Sequence, residues 1–214
     1  KGFRPIIPEG TKVLSLEVKD DVVTVNFSKE LLSVSSLQEE KLVEAIVYTL
    51  TSEDSVKKVV IRVEDKPFSK LPNSNKILPD IFDRSYGINK DYDINSLYGL
   101  TKTTIYYTSN YDDMTYYVPV TKISNNSEEK VTVIVNELKS SLLYQSNLSS
   151  YLSSSAELKK YEELEGVMNL TFNDKIFDSV YNQNILEEVV YTIGMSVMEN
   201  YDVSKVAFYV DDKE

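Results

Sequence analysis

The amino-acid sequence predicts an α+β fold that occurs twice, with helices packed on one face of a mixed sheet. Residues 39–66 (EEKLVEAIVYTLTSEDSVKKVVIRVEDK) combine helical spacing with a following strand, and a similar stretch returns at residues 183–213. Residues 22–32 (VVTVNFSKELL) resemble residues 167–177 (VMNLTFNDKIF), so the separation is about 145 residues in both cases. A period this long excludes a solenoid and indicates two copies of one domain.

The first copy begins with a predicted β-hairpin. Residues 11–19 and 22–27 alternate apolar and polar side chains, as a half-buried strand does, and Asp20-Asp21 between them fits a two-residue turn. Ser36 and Glu39 have the spacing of a capping box, which predicts a helix start. The predicted helix carries apolar residues at helical spacing, namely Leu42, Val43, Ile46, Val47 and Leu50.

A strand at residues 57–64 completes this copy, which we place at residues 1–66. One helix on so small a sheet buries little apolar surface, so the unit is marginal alone. The second copy is longer by a leading hairpin and helix, and we expect the first copy to be partial. We therefore expect it to rely on the following segment or a neighbouring chain, because its sheet otherwise leaves an apolar face uncovered.

Residues 67–101 are predicted to connect the two domains. Pro67, Pro72 and Pro79 interrupt regular structure there. The segment is nevertheless too apolar for a free linker, and we expect it to pack against a domain.

The second copy, at residues 102–214, is predicted to have the order β-β-α-β-β-α-β. Its elements are a hairpin at 103–108 and 115–123 with a turn at 109–113, a helix capped by Ser127 that carries Leu142, a Ser-rich surface loop at 146–155, a hairpin at 158–165 and 167–173, a helix from Ile185 to Val197, and a last strand at 205–210.

Composition excludes several classes of function. The net charge is −11 and the pI near 4.6, whereas nucleic-acid binding needs clustered Lys and Arg. The chain has no His and no Cys, so the commonest catalytic base, thiol nucleophiles and thiolate metal ligands are all absent. No apolar run approaches the roughly 20 residues of a membrane helix. We expect a protein that is not an enzyme and binds no cofactor.

Two groups of acidic residues fit catalytic or metal chemistry only in part. Asp91-x-Asp93-x-Asn95 has the opening spacing of a calcium loop, but Ser96 and Lys102 stand where Gly and Glu are required. Paired carboxylates at 112–113, 128–129, 162–163 and 187–188 could serve acid–base catalysis, yet they fall on predicted turns, helix starts and exposed strand positions. We predict neither a metal site nor a catalytic site.

Tyrosines are the candidate interface residues. Tyr106-Tyr107 and Tyr116-Tyr117 lie on facing strands of one predicted hairpin, where alternation sends one of each pair outward. An outward pair suits an interface anchor, and cross-strand aromatic stabilisation explains the same pattern. Tyr48-Thr49 and Tyr191-Thr192 are predicted to occupy equivalent helix positions at the helix–sheet contact.

The sequence resembles tandem GerMN-domain proteins, the sporulation and spore-germination lipoproteins of endospore-forming bacteria. The resemblance is carried by residues 7–14 (IPEGTKVL), 22–28 (VVTVNFS), the connector at 71–94 and the strand at 117–121 (YVPVT). It covers essentially the whole chain, and its motifs belong to the fold rather than to an active site.

This resemblance implies an extracytoplasmic Gram-positive lipoprotein on the mother-cell membrane, facing the space between mother cell and forespore. Its expected partners are components of the channel complex that links the two cells, with self-association into a ring as a possibility because the domains are similar to ring-building modules. Membrane contact is expected only through a lipid anchor outside this chain, and no nucleic-acid partner is expected. The alternative is a module that binds peptidoglycan or another wall component.

Overall fold

A computed structural model of the chain describes residues 5–140, 147–178 and 183–210. The chain divides into two units, residues 1–89 and 90–214. The segment predicted as a connector is shared between them: residues 67–89 belong to the first unit and residues 90–101 to the second.

The first unit is one mixed sheet with one α-helix. Its elements are β1 (Val13–Lys19), β2 (Val22–Phe27), a 3-10 helix (Lys29–Ser33), α1 (Glu39–Leu50), β3 (Lys58–Val63), β4 (Lys66–Pro67) and a 3-10 helix (Arg84–Tyr86). The strand order is β1-β2-β3-β4. The β1–β2 and β3–β4 pairs are antiparallel and the β2–β3 pair is parallel. The predicted hairpin, helix and strand are confirmed.

The segment after β4 completes the first core. Val23 and Val25 of β2 and Val59 and Ile61 of β3 alternate toward α1 and are buried. Four side chains from residues 67–89 are buried in the same cluster, namely Phe68, Leu71, Leu78 and Phe82. Burial of each such side chain contributes on the order of 2 kcal/mol. The expectation that this segment packs against a domain is confirmed.

Helix α1 does not begin with the predicted capping box. The residue before the helix is Gln38, and its side chain makes no capping hydrogen bond. Glu39 instead turns its carboxylate to the loop at residues 73–74, where three N–H groups reach it. The capping-box prediction is wrong because a loop distant in sequence offers Glu39 better donors than the helix start does.

The second unit has the predicted order with one added strand. Its elements are β5 (Asp91–Asp93), β6 (Thr101–Tyr111), β7 (Met114–Ser124), α2 (Lys130–Lys139), β8 (Leu158–Leu164), β9 (Val167–Phe172), a 3-10 helix (Asp174–Ile176), α3 (Glu187–Asn200) and β10 (Lys205–Val210). The strands form two sheets, ordered β5-β7-β6 and β10-β9-β8. The sequence did not predict β5, which pairs parallel with the end of β7.

The hairpins of this unit close with tight turns. Asp112 and Asp113 have φ of 51° and 60°, and Glu165 and Gly166 have φ of 51° and 73°. Two successive residues with positive φ match the right-handed twist of the flanking strands. The first turn is therefore two residues long, and β6 and β7 extend further into residues 109–113 than predicted.

The helix starts of the second unit also differ from prediction. The residue before α2 is Glu129, so Ser127 is not its cap, and Leu142 lies outside the described residues. Helix α3 begins at Glu187, while Ile185 and Leu186 precede it and pack against the core. Among the residues described, no helix is long and apolar enough to cross a membrane.

The repeat is visible in the strands but is displaced in the helices. Both first strands carry a bulge at the matching place, between Val13 and Ser15 in β1 and between Leu158 and Lys160 in β8. Tyr48 is 8% exposed, whereas Tyr191 is 46% exposed. Thr49 and Thr192 differ in the opposite sense, because Thr49 is exposed and Thr192 is buried.

The predicted equivalence of Tyr48-Thr49 and Tyr191-Thr192 is therefore wrong. The two Tyr-Thr pairs are 143 residues apart, whereas the equivalent strands of the two copies are 145 to 147 residues apart. The Tyr-Thr pairs are therefore out of step with the repeat of the strands, and the burial of their side chains shows that they fall on different faces of α1 and α3.

Candidate functional site

The tyrosines predicted as interface residues are not one exposed group. Tyr106 and Tyr107 are both buried. The Tyr106 hydroxyl donates to Glu199 Oε2 of α3 at 3.2 Å, and Tyr107 lies in the core of the second unit. The expectation that one of this pair points outward is wrong, because α3 lies beside β6 and buries the side chain that would otherwise face solvent.

Tyr107 has an unusual electrostatic environment. Burial raises the pKa of its hydroxyl, and the charges of Glu137 and Asp91 raise it further. The phenolate form is therefore disfavoured, and Tyr107 is a neutral core side chain at physiological pH.

Tyr117 forms an aromatic pair with a residue from α3. The rings of Tyr117 and Tyr191 have centroids 5.3 Å apart at an interplanar angle of 46°. Desolvation raises the pKa of the Tyr117 hydroxyl, and the nearby charges of Glu187 and Glu188 add to the effect. We call Tyr117, Tyr191, Glu187 and Glu188 the tyrosine–glutamate patch.

The tyrosine–glutamate patch combines partly exposed aromatic surface with two carboxylates. Aromatic residues are enriched where protein partners bury surface, and acidic neighbours favour a basic partner. Tyr116 lies beside Tyr117 on β7, half-buried, with its hydroxyl 3.6 Å from Met114 Sδ. Sequence analysis did not place Tyr191 beside Tyr117, because 74 residues separate them. The placement of α3 against the hairpin brings the two rings together.

The outer edge of β6 is closed by side chains from α3. Asn200 pairs with both backbone groups of Thr104, and Ser196 Oγ accepts from the Tyr106 N–H at 2.8 Å. Further along, the backbones of Thr108 and Ser149 exchange two hydrogen bonds of 2.9 and 2.8 Å. The predicted surface loop at 146–155, described from residue 147 onward, thus also pairs with a strand, and its Leu152 is buried.

A polar cavity of about 300 Å³ surrounds Lys122 in the second unit. Lys122 pairs with Glu137 at 2.5 Å and with Asp93 of β5 at 3.7 Å. Desolvation lowers the pKa of the Lys122 ammonium, but the Glu137 hydrogen bond and the charges of Glu137, Asp93 and Asp91 outweigh it and raise the pKa overall. Lys122 is therefore a charged structural residue and unsuited to act as a general base.

The residues of the rejected calcium motif have structural partners here. Asp91 and Asp93 belong to β5, and Asn125 Oδ1 accepts from the N–H of Asn95 and of Ser96 at 2.9 and 3.2 Å. In the described part of the chain, no three acidic side chains converge as metal ligands would.

A larger groove of about 610 Å³ lies between α2 and β8. Its lining is mixed, with one aromatic side chain, Tyr161, beside Lys139, Lys159 and Lys160. The paired carboxylates at 112–113, 128–129 and 162–163 are exposed, and those at 187–188 form the first turn of α3. The helix dipole favours acidic residues at that position without any catalytic role.

The first unit uses the polar side chains of α1 to hold residues 73–89. Glu39 accepts from Asn73 N and Ser74 N at 2.8 and 3.0 Å, and the buried Glu44 accepts from Asn89 N at 2.9 Å. Near the end of α1, the Arg84 guanidinium lies 4.2 Å above the Tyr48 ring. These contacts fix the segment that completes the core.

Strand β1 presents an apolar face that α1 does not cover. Leu16 pairs with Val25 and Val18 with Val23, so both lie on the core-facing side of the sheet, yet they are 52% and 55% exposed. The connector thus packs on the first core as expected, but it leaves this part of the sheet exposed.

Comparison with known proteins gives a consistent relationship. The Germane family, described as sporulation and spore germination, matches residues 1–69 and 104–214. The spore germination protein GerM of Bacillus subtilis strain 168 is 31% identical over 217 residues, which cover 99% of this chain and 59% of that protein. The chain thus spans less than two thirds of the length of this relative.

A solved structure confirms the fold class. The tandem GerMN domains of the sporulation protein GerM from Bacillus subtilis superpose with a TM-score of 0.88 at 30% identity, covering 100% of this chain and 75% of that one. The resemblance stated from the sequence, the α+β fold and the tandem arrangement are confirmed.

Proposed function

This chain belongs to the Germane family of sporulation and spore germination, and we propose that it is a non-enzymatic assembly factor for the channel complex between mother cell and forespore. It acts through protein–protein contacts outside the cytoplasm, on the mother-cell side and with a lipid anchor beyond this chain. Its relationship to GerM supports a role in sporulation.

The observation that carries this proposal is the tyrosine–glutamate patch. It offers two aromatic rings and two carboxylates on the surface of the second unit. The second unit also carries most of the negative charge: residues 90–214 contain 20 Asp and Glu against 10 Lys and Arg, and residues 1–89 contain 14 against 13. Such a surface suits a basic protein partner.

Site-specific crosslinking tests the proposal. A photoreactive phenylalanine analogue replaces Tyr117 in the full-length protein, expressed in sporulating cells of its own organism. Tyr161, exposed to 41% on β8, is the matched control position in the same unit. We expect position 117 to crosslink to a membrane protein of the channel complex, and position 161 to crosslink weakly or not at all.

Two results would contradict the proposal. Crosslinks from position 117 to wall glycan alone would favour the alternative of a peptidoglycan-binding module. Equal crosslinking from positions 117 and 161 would show that the tyrosine–glutamate patch has no special role.

A further inference from the structure

The outer edge of β10 has no backbone partner among the described residues of the second unit. This strand is the outer member of the order β10-β9-β8, and it pairs with β9 in the parallel register that relates β3 to β2. In residues 5–140, 147–178 and 183–210, no backbone group pairs with the other side of β10. Unpaired edge strands are usually blocked in native proteins, since they recruit other strands.

The first unit shows which groups of β10 face outward. In β3, Val59 N donates to Phe82 O and Val59 O accepts from Phe82 N, both at 2.8 Å. Ile61 O accepts from Phe68 N at 3.0 Å. Because the registers match, the equivalent outward groups of β10 belong to Val206 and Phe208.

The first unit also shows what an occupied edge does for the core. Residues 66–82, which we call the closing segment, cover the edge of β3 and bury Phe68 and Phe82 beside it. Val59 and Ile61 are then 0% and 3% exposed. Val206 and Phe208 in the second unit are only partly buried, so this flank of the second core is incomplete.

The edge of β6 in the same unit provides a contrast. Its backbone groups are paired by Asn200, Ser196 and Ser149, so strand addition is blocked there. Among the described residues, the second unit therefore covers the edge of β6 and has no such cover on the outer edge of β10, with the sequence KVAFYV.

Charge indicates the kind of segment that fits. The second unit is strongly acidic, with twice as many Asp and Glu as Lys and Arg in residues 90–214. The closing segment, residues 66–82, holds three lysines and one acidic residue, Asp80. A basic extended segment is thus complementary to the second unit in charge as well as in backbone geometry.

We propose that the open edge of β10 binds an extended, basic segment of a partner protein, which adds as an antiparallel strand. The partner's backbone pairs with Val206 and Phe208, and its apolar side chains complete the flank of the second core as Phe68 and Phe82 do in the first. In such strand addition, main-chain hydrogen bonds supply affinity and alternate side chains supply specificity. This inference rests on the proposed assembly function for the identity of a biological partner.

The test uses a synthetic peptide of residues 66–82 as the probe and the full 214-residue chain as the target. Amide hydrogen exchange, resolved by NMR, reports each residue of β10. We expect the peptide to slow exchange at Val206 by at least about ten-fold, because its N–H gains a partner as the Val59 N–H does in the first unit. A peptide with Phe68→Ser and Phe82→Ser is the matched control and is expected to give no protection.

A variant of the chain isolates the backbone contribution. Val206→Pro removes an outward N–H near the start of an edge strand, where proline is tolerated because the bonds to β9 remain. We expect peptide binding to weaken about ten-fold or more, with an unchanged exchange pattern in α3. If this variant fails to fold, the serine-substituted peptide still decides the question.

Three outcomes would overturn the proposal. The first is unchanged exchange at the Val206 N–H with saturating peptide. The second is slow exchange there in the free chain at every concentration, which would mean that the chain's own residues cover the edge. The third is protection that grows with protein concentration alone, which would make the occupant a second copy. None of these affects the crosslinking at Tyr117, so this inference and the proposed function fail separately.

Discussion

Asn200, the last residue of α3, uses its side-chain amide to pair with both backbone groups of Thr104 on β6. Asn200 Nδ2 donates to Thr104 O at 2.6 Å, and Asn200 Oδ1 accepts from Thr104 N at 3.1 Å. The amide thus occupies the place that a neighbouring strand would take. It fixes the end of α3 against the hairpin that carries Tyr106 and Tyr117.

Substitution of Asn200 by alanine is predicted to destabilise the second unit by roughly 2–4 kcal/mol, because two partly buried backbone groups lose their partners. Urea unfolding, monitored by tyrosine fluorescence, measures the change. Asn136→Ala on the exposed side of α2 is the matched control, expected within about 0.5 kcal/mol of the parent. Equal effects of the two substitutions would show that the Thr104 pairing contributes nothing.

Leu71 tests whether the closing segment belongs to the first core. It is 1% exposed, whereas Ile77, six residues later, is 84% exposed. Leu71→Ala is predicted to lower the free energy of unfolding of the first unit by about 2–5 kcal/mol, because it leaves a cavity. Ile77→Ala is expected to change it by less than about 0.5 kcal/mol. Thermal unfolding by calorimetry separates the two, and a small effect of Leu71→Ala would mean that the segment is only loosely attached.

Glu39 is predicted to make the stability of the first unit depend on pH. Desolvation raises the pKa of its carboxyl, but hydrogen bonds from Ser74 and Asn73 outweigh this and lower the pKa overall. A lowered pKa in the folded state stabilises the protein above the unfolded value, near 4.3, and this contribution is lost as pH falls through the folded pKa.

Glu39→Gln is therefore expected to be less stable than the parent at pH 7, with a difference that shrinks below about pH 4. Urea unfolding at several pH values measures it, with Glu53→Gln on an exposed turn as the control. A difference that stays constant across this range would rule out the carboxylate's charge as the cause.

Tyr107 is predicted to make the stability of the second unit fall as the pH rises into the alkaline range. Burial is the main cause of the raised pKa of its hydroxyl, so the folded state favours the neutral form. Its contribution is present below the unfolded pKa of about 10 and is lost as pH rises toward the folded pKa.

Tyr107→Phe is thus predicted to lose less stability than the parent above about pH 10. Thermal unfolding from pH 8 to 11 measures this, with the exposed Tyr209→Phe as the control. If Tyr209→Phe reduces the alkaline loss of stability equally, ionisation of Tyr107 is not the cause of that loss.

The sequence alone determined the α+β class, the order of the elements and the presence of two copies. These depend on local patterns: Val23, Val25 and Phe27 alternate as a strand requires, and Leu42, Val43, Ile46 and Val47 recur at helical spacing. The family motifs at residues 7–14 and 22–28 also lie within short continuous stretches, so they can be recognised from the sequence alone.

Only the tertiary structure decided which side chains are free to act. Asn200 and Thr104 are 96 residues apart, and Tyr117 and Tyr191 are 74 apart, so no periodicity in the chain links them. Likewise, Tyr106 and Tyr107 alternate as strand residues but are both buried, because α3 lies beside the strand. Periodic burial follows from one element's own geometry, whereas closed edges and exposed patches follow from where the other elements pack.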